Sequence, residues 1–174
     1  MSDGNADTSP IGKPASEDGA PKPVLLFDRS VGYQIRTTHR MVQRALQARI
    51  EPHGVTPGMW YFLRVLWDED GLTQRELSRR VGTMEPTTMS AIQAMENAGF
   101  VRRERNAADR RKINIYLTPA GRALETQLLP SGIDVVESAT KGFSQREIDL
   151  LLSLLGAIQK NLLEDSSALD EIAE

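Results

Sequence analysis

The sequence predicts a mostly α-helical chain carrying one small β-hairpin, and three observations predict it. Between residues 72 and 117, two short helical signals are followed at once by two short alternating segments, one of them β-branched. On both sides lie longer stretches whose apolar residues recur at helical spacing. Helix-start chemistry recurs as well: Thr-Pro at Thr56 and Thr118, and a hydroxyl with a glutamate three residues on at Thr73/Glu76 and Ser144/Glu147.

Residues 1–26 are rich in Gly, Pro, Ser, Asp and Ala without an apolar period, and are expected to be a disordered or loosely docked tail. Asp28 or Ser30 opens the first long helix, which runs to about Glu51 before Pro52 and His53-Gly54 break it. Val31, Ile35, Met41, Val42, Ala45, Leu46 and Ile50 form its apolar side. Thr56 and Pro57 start the next helix, which runs to Asp70-Gly71. It is apolar nearly all round and so buried from several sides, with Trp60, Phe62 and Trp67 expected to anchor it on the first and fifth helices.

Thr73 with Glu76 starts a short helix with Leu77 and Val81 on its apolar side, and Gly82 ends it. A second begins near Glu85, with Pro86 in its first turn, and Ile92 and Met95 with Met89 are expected to form its buried stripe. Two helices joined by three or four residues make a helix-turn-helix, whose second helix suits a DNA major groove. Val101–Glu104 and Ile113–Leu117 read as hairpin arms around RNAADRRK, a polar loop with three adjacent cations. Such a wing, mobile and positive, fits the electronegative minor groove.

Thr118-Pro119 starts a long helix interrupted at Pro130-Ser131-Gly132, where a kink or break is expected before it resumes to Ala139. The last helix carries Ile148, Leu151, Leu152, Leu155, Ile158, Leu162 and Leu163 at helical spacing, a stripe too apolar for a monomer's surface.

The matching motifs are LTQREL from Leu72, Pro86-Thr87-Thr88, the Glu96 to Val101 exit, the DRR of Asp109–Arg111 and LTPAG from Leu117. In these the chain resembles the MarR family of bacterial transcription regulators. The resemblance implies a winged helix-turn-helix over about 55–118 and dimerisation helices over about 28–52 and 119–166, within one domain from residue 27 to 174. It also implies a sequence-specific homodimeric repressor of an inverted repeat, its recognition helices about 34–36 Å apart, relieved by a small ligand, for which an aromatic anion is the expected class.

Charge agrees with a DNA-facing lobe. From Thr73 to Lys112 nine cations face five carboxylates, a local +4, which leaves −7 on the rest of a chain of net −3. On the recognition helix Glu85, Pro86, Thr87, Thr88, Ser90 and Gln93 are the expected DNA-binding residues, Gln93 suiting adenine. No arginine or lysine stands there, which leaves sequence preference to lean on the wing and on DNA shape. In the wing the expected residues are Arg103, Arg105, Asp109, Arg110, Arg111 and Lys112. By the resemblance Asp109 pairs with Arg111 and fixes the hairpin, and Arg111 is the first choice for the minor groove. Thr73, Arg75 and Arg79 are expected at the DNA backbone, where contacts add affinity and salt dependence but no sequence information. The bland alternative for each hydroxyl and arginine is solvated helix surface.

An effector pocket is placed by the resemblance at Tyr33, Arg36, His39 and Arg40 of the first helix with Met59 and Trp60 of the second, against the alternative that Tyr33 and Trp60 are core. The chain has no cysteine and two histidines, His39 and His53, which excludes disulfides, thiolate sensing and Cys-ligated zinc. No phosphate loop, metal-spaced set or nucleophile motif is present, so neither an enzyme nor a cofactor or metal is expected. With no membrane-length apolar run and no signal sequence, a cytoplasmic protein is expected. The expected partners are double-stranded DNA, a second copy and a small-molecule effector. Two rival readings stand: a winged-helix module that binds protein, and a weakly specific architectural DNA binder without effector.

Overall fold

The computed structural model describes residues 26, 27 and 29–173, with side-chain environments as far as residue 165. The predicted tail, Leu26 excepted, lies outside the described residues, as does Asp28. The chain divides into two compact units, one ending at Arg44 and one beginning at Ala45, within helix α1 (Val31–Ile50).

In the first unit Ser30 is the residue that opens α1. Its Oγ accepts from the Tyr33 N–H at 3.4 Å, and its carbonyl from the Gln34 N–H at 3.0 Å. The Tyr33 ring lies 4.1 Å from that of Phe27, and the His39 ring and Gln43 amide are 3.2 Å apart one turn on.

In the second unit a 3-10 turn, Glu51–His53, follows α1 and takes up Pro52 at its start, where a missing N–H costs nothing. Helix α2 (Pro57–Asp68) begins where Thr56 Oγ1 accepts from the Met59 N–H. Then come β1 (Leu72–Thr73), α3 (Gln74–Val81), α4 (Glu85–Asn97), β2 (Val101–Arg105), β3 (Ile113–Leu117), α5 (Pro119–Ala139) and α6 (Gln145–Ala173). The hairpin arms fall where expected, with Val101 opposite Leu117 and Arg105 opposite Ile113. A third strand was not foreseen: Leu72 and Thr73 pair antiparallel with Ile115 and Asn114, giving the order β1-β3-β2. Two residues carry too little alternation to signal a strand, and Thr73 also caps α3.

The core joins α2, α3, α4 and α5 to the inner side of the sheet. Leu63, Leu66, Leu77, Ile92, Met95, Ile115 and Leu128 are fully buried in it, each worth about 1.5–3 kcal/mol in apolar transfer. Trp60 and Trp67 meet edge to face at 5.7 Å, and the Trp67 indole N–H donates to the Gly121 carbonyl at 3.0 Å. Helix α5 packs this closely because two glycines allow it. A Cβ at Gly132 would stand 2.5 Å from the Trp60 ring, and one at Gly121 2.1 Å from the Phe100 carbonyl oxygen. Trp60 and Trp67 thus anchor α2 on the fifth helix, one of the two helices expected.

The expected break in α5 is corrected: one helix runs from Pro119 to Ala139 with Pro130 inside it. The missing proline N–H deletes one hydrogen bond, while Leu128 and Val135, buried on either side, hold the helix together. The Ser144/Glu147 box is present, with Ser144 N–H and Oγ–H both donating to Glu147 Oε2 at 2.7 Å. Among the residues of α6 whose burial is described, none is buried, and Leu150, Leu152 and Leu154 are 58%, 62% and 55% exposed. No helix among the described residues is long and apolar enough to cross a membrane.

Candidate nucleic-acid interface

The site is built on two tied turns. Thr73 and Glu76 form a reciprocal capping box: Glu76 Oε2 accepts from the Thr73 N–H at 2.8 Å and hydroxyl at 2.6 Å, and Thr73 Oγ1 accepts from the Glu76 N–H at 3.3 Å. These bonds, the hydroxyl's first and the backbone's next, hold the Glu76 carboxyl below its ordinary 4.5. At the other end of α3, Gly82 is left-handed (φ 72°), and the buried Ser78 Oγ–H donates to the Thr83 carbonyl at 2.5 Å, closing the turn into α4. Ser78 had no signal in the sequence beyond its place one residue after Leu77.

Helix α4 corrects its predicted faces. Thr88, expected to bond DNA, is fully buried, and its hydroxyl donates back to the Met84 carbonyl at 3.2 Å. Met89, expected in the stripe, is 53% exposed, so the stripe is Thr88, Ile92 and Met95. At about 100° per residue those three positions fall within roughly 60° of one another, whereas Met89 lies well to one side. Glu85, Pro86, Thr87, Ser90 and Gln93 are exposed, and the Ser90 hydroxyl donates to the Pro86 carbonyl at 3.1 Å.

The wing is a hydrogen-bonded turn. Asn106 Oδ1 accepts from the N–H groups of Ala108 and Asp109, both at 2.9 Å, and its amide donates to Asn114 Oδ1 at 3.0 Å. Across the tip the Lys112 N–H donates to the Asp109 carbonyl. Asn106 was missed; its Asn-x-x-Asp spacing is a turn signal that could have found it. Asp109 Oδ1 accepts from Arg111 Nε and Oδ2 from Arg111 Nη2, at 3.1 and 3.3 Å, the pairing the resemblance implied. Those side-chain bonds, followed by one from the Arg111 backbone N–H, keep the Asp109 carboxyl below its ordinary 3.8. The Arg111 side chain remains 91% exposed.

Between α3, the start of α4 and the wing runs a cleft of about 650 Å³. Arg75, Arg79, Arg111 and Lys112 line it, with Glu76 and Glu85 beside them. Arg105 and Arg110 are exposed on the wing. Arg103 departs from expectation: it turns onto α4, its Nη2 donating to Gln93 Oε1 at 3.1 Å and its Nε 3.2 Å from Glu96 Oε2. Arg102 pairs with Glu104 and lies over the Tyr116 ring, and Arg80 pairs with Glu69. Asp70, also missed, ties the lobe to α5: it pairs with Arg122, and its Oδ1 accepts from the Leu117 N–H at 2.8 Å.

Of the residues assigned to an effector pocket, Tyr33, Arg36, His39 and Arg40 belong to the first unit, where Tyr33 is half-buried and the others exposed. Met59 and Trp60 are buried in the second unit, 8% and 3% exposed, with the Trp60 ring against Gly132 of α5. Among the described residues no three His, Asp or Glu side chains gather as a metal would need.

The MarR family model matches residues 53–112, the span of this site. The Bacillus subtilis transcriptional repressor YetL is 29% identical over 111 residues, covering 63% of this chain and 66% of its own. A MarR transcriptional regulator of Methanosarcina mazei shares 30% identity and a TM-score of 0.69, over 77% of this chain and 96% of that one. The fold is also that of Bordetella bronchiseptica BpsR, whose DNA binding is regulated by 6-hydroxynicotinic acid: TM-score 0.73, 22% identity, 79% of this chain and 98% of that one. With a winged helix-turn-helix, a cationic cleft and a relative matched over nearly its whole length, the chain belongs to the MarR family and is a DNA-binding transcriptional regulator.

Proposed function

We propose that the protein is a homodimeric repressor of an inverted-repeat operator whose hold on DNA is set by a small anionic effector. The observation that carries the reading is the convergence of Arg75, Arg79, Arg111 and Lys112 on one cleft between the recognition helix and the wing. A phosphate backbone passing there lets α4 enter the major groove while Arg111 reaches the minor groove. Arg105 and Arg110 extend the phosphate contacts, and Asp109 holds Arg111 in place. On α4 the base-facing set is Glu85, Pro86, Thr87, Ser90 and Gln93; Met89 replaces Thr88, its thioether suited to a thymine methyl.

The exposed leucines of α6 support the dimer, since a second copy of the same face is the simplest cover for them. YetL, a repressor, supports the sign of regulation. For the effector we assign the face of α1 carrying Tyr33, Arg36, His39 and Arg40, where an aromatic ring and cations suit an aromatic carboxylate. 6-Hydroxynicotinic acid, which regulates BpsR, is the compound to test first. Effector action needs only a differential affinity for two spacings of the paired lobes. A cytoplasmic location follows from the role.

The test is selection of duplexes from genomic fragments, with Arg111→Ala beside the wild type at two salt concentrations. One enriched palindrome, bound at least about tenfold more weakly by the variant and with a salt slope shallower by about one, is expected. Uniform weak binding, unchanged in the variant, points instead to an architectural binder with a specificity ratio near one.

A further inference from the structure

We propose that Arg103 is a positioning residue for base readout and not a phosphate contact: it fixes the orientation of the Gln93 amide on the recognition helix. This rests on the proposal that Gln93 meets a base edge. Arg103 stands on β2 but is directed at α4, with its side chain only 29% exposed. Its Nη2 donates to Gln93 Oε1 at 3.1 Å, while Gln93 Nε2 donates to Asn97 Oδ1 at 3.0 Å. Its Nε is buried and has no hydrogen-bond partner. Glu96 Oε2 is 3.2 Å away but off the N–H axis, so that contact is ionic and pins the guanidinium against the helix.

The arrangement leaves Gln93 a defined remainder. A glutamine amide has two acceptor sites and two donor hydrogens. Arg103 takes one of the first and Asn97 one of the second, so one acceptor and one donor remain, and the amide cannot flip without turning its donors onto the guanidinium. One acceptor and one donor are what adenine N6–H and N7 require. A free glutamine presents either orientation and loses rotamer freedom when it binds. Held by Arg103, it is set beforehand by the same hairpin that carries the wing.

Palindrome variants with each single base change, measured at two salt concentrations, test this with wild type, Arg103→Lys, Arg103→Gln and Gln93→Ala. Lysine keeps the charge and stem but not the planar fork, and glutamine keeps the first two methylenes without the charge, so both largely spare the packing. Both Arg103 variants should lose discrimination, about tenfold, at the half-site position where Gln93→Ala loses it, with the wild-type salt slope retained. Combining Arg103→Lys with Gln93→Ala should cost no more than Gln93→Ala alone. Arg103→Gln weakening every duplex equally with a slope shallower by about one would make Arg103 a phosphate contact and overturn the proposal. So would an unchanged base profile, or a loss at some other position. A wild type that selects no palindrome would overturn base readout itself, and this inference with it.

Discussion

Helices α3 and α6 begin in nearly the same way and end in different surroundings. Each opens on a hydroxyl residue whose Oγ and N–H both donate to a glutamate three residues on, at 2.6 and 2.8 Å for Thr73/Glu76 and 2.7 Å twice for Ser144/Glu147. Yet α3, eight residues long, buries Leu77 completely, while α6 exposes Leu150, Leu152 and Leu154 by more than half. A helix of α3's length does not stand alone in water, so packing on α2, α4 and β3 sustains it. The local sequence says where a helix starts. What the helix is for depends on where its apolar face finds cover, and the cover proposed for α6 is a second copy.

The largest expected effects separate those two kinds of cover. Leu150→Asp with Leu154→Asp places two charges on adjacent turns of the exposed face. The protein should become a monomer by light scattering, with operator affinity down about 100-fold or more as the bivalent attachment is lost. A persistent dimer would assign that face to something else. Leu77→Ala leaves a cavity in a closed core and should cost about 2–5 kcal/mol in denaturant unfolding. Dimers formed by what still folds would show that the two lobes depend on different contacts.

The sequence was most legible where a signal is local. Thr56, Thr118, Thr73 with Glu76 and Ser144 with Glu147 all start helices where their chemistry says, and both hairpin arms fall in place. It was least legible where neighbours decide. Hydropathy favours Met89 over Thr88 for the stripe, but the angular position of Thr88 and a bond to the Met84 carbonyl make burying the hydroxyl cheap. Arg103 reads as one more wing cation because its partners, Gln93 and Glu96, stand on another element. Pro130 suggested a break because a sequence does not show the packing of Leu128 and Val135 that carries α5 through it. The candidate site was therefore legible in the sequence, while which of its arginines turn onto protein was not.

The smallest effects compare the two helix starts directly. Thr73→Ala should cost about 1 kcal/mol in global unfolding, because α3 is welded to the core. Ser144→Ala should leave the global midpoint in place and speed amide exchange only in the first turn of α6, since the exposed helix end opens by itself. Acid sharpens the contrast. The Glu76 carboxyl lies below its ordinary 4.5 through its bonds to Thr73, and that of Glu147 does so through its bonds to Ser144. Each is therefore bound more tightly as the anion in the folded chain. Its contribution is complete above about 4.5 and is lost as pH falls through the lower folded value. The melting gap between wild type and Glu76→Gln should thus be open at neutral pH and close progressively below that point, while Glu147→Gln should open no gap at either pH. A Glu147→Gln variant whose melting point tracks Glu76→Gln would mean that α6 unfolds with the winged lobe, and that the two helices share one cooperative core.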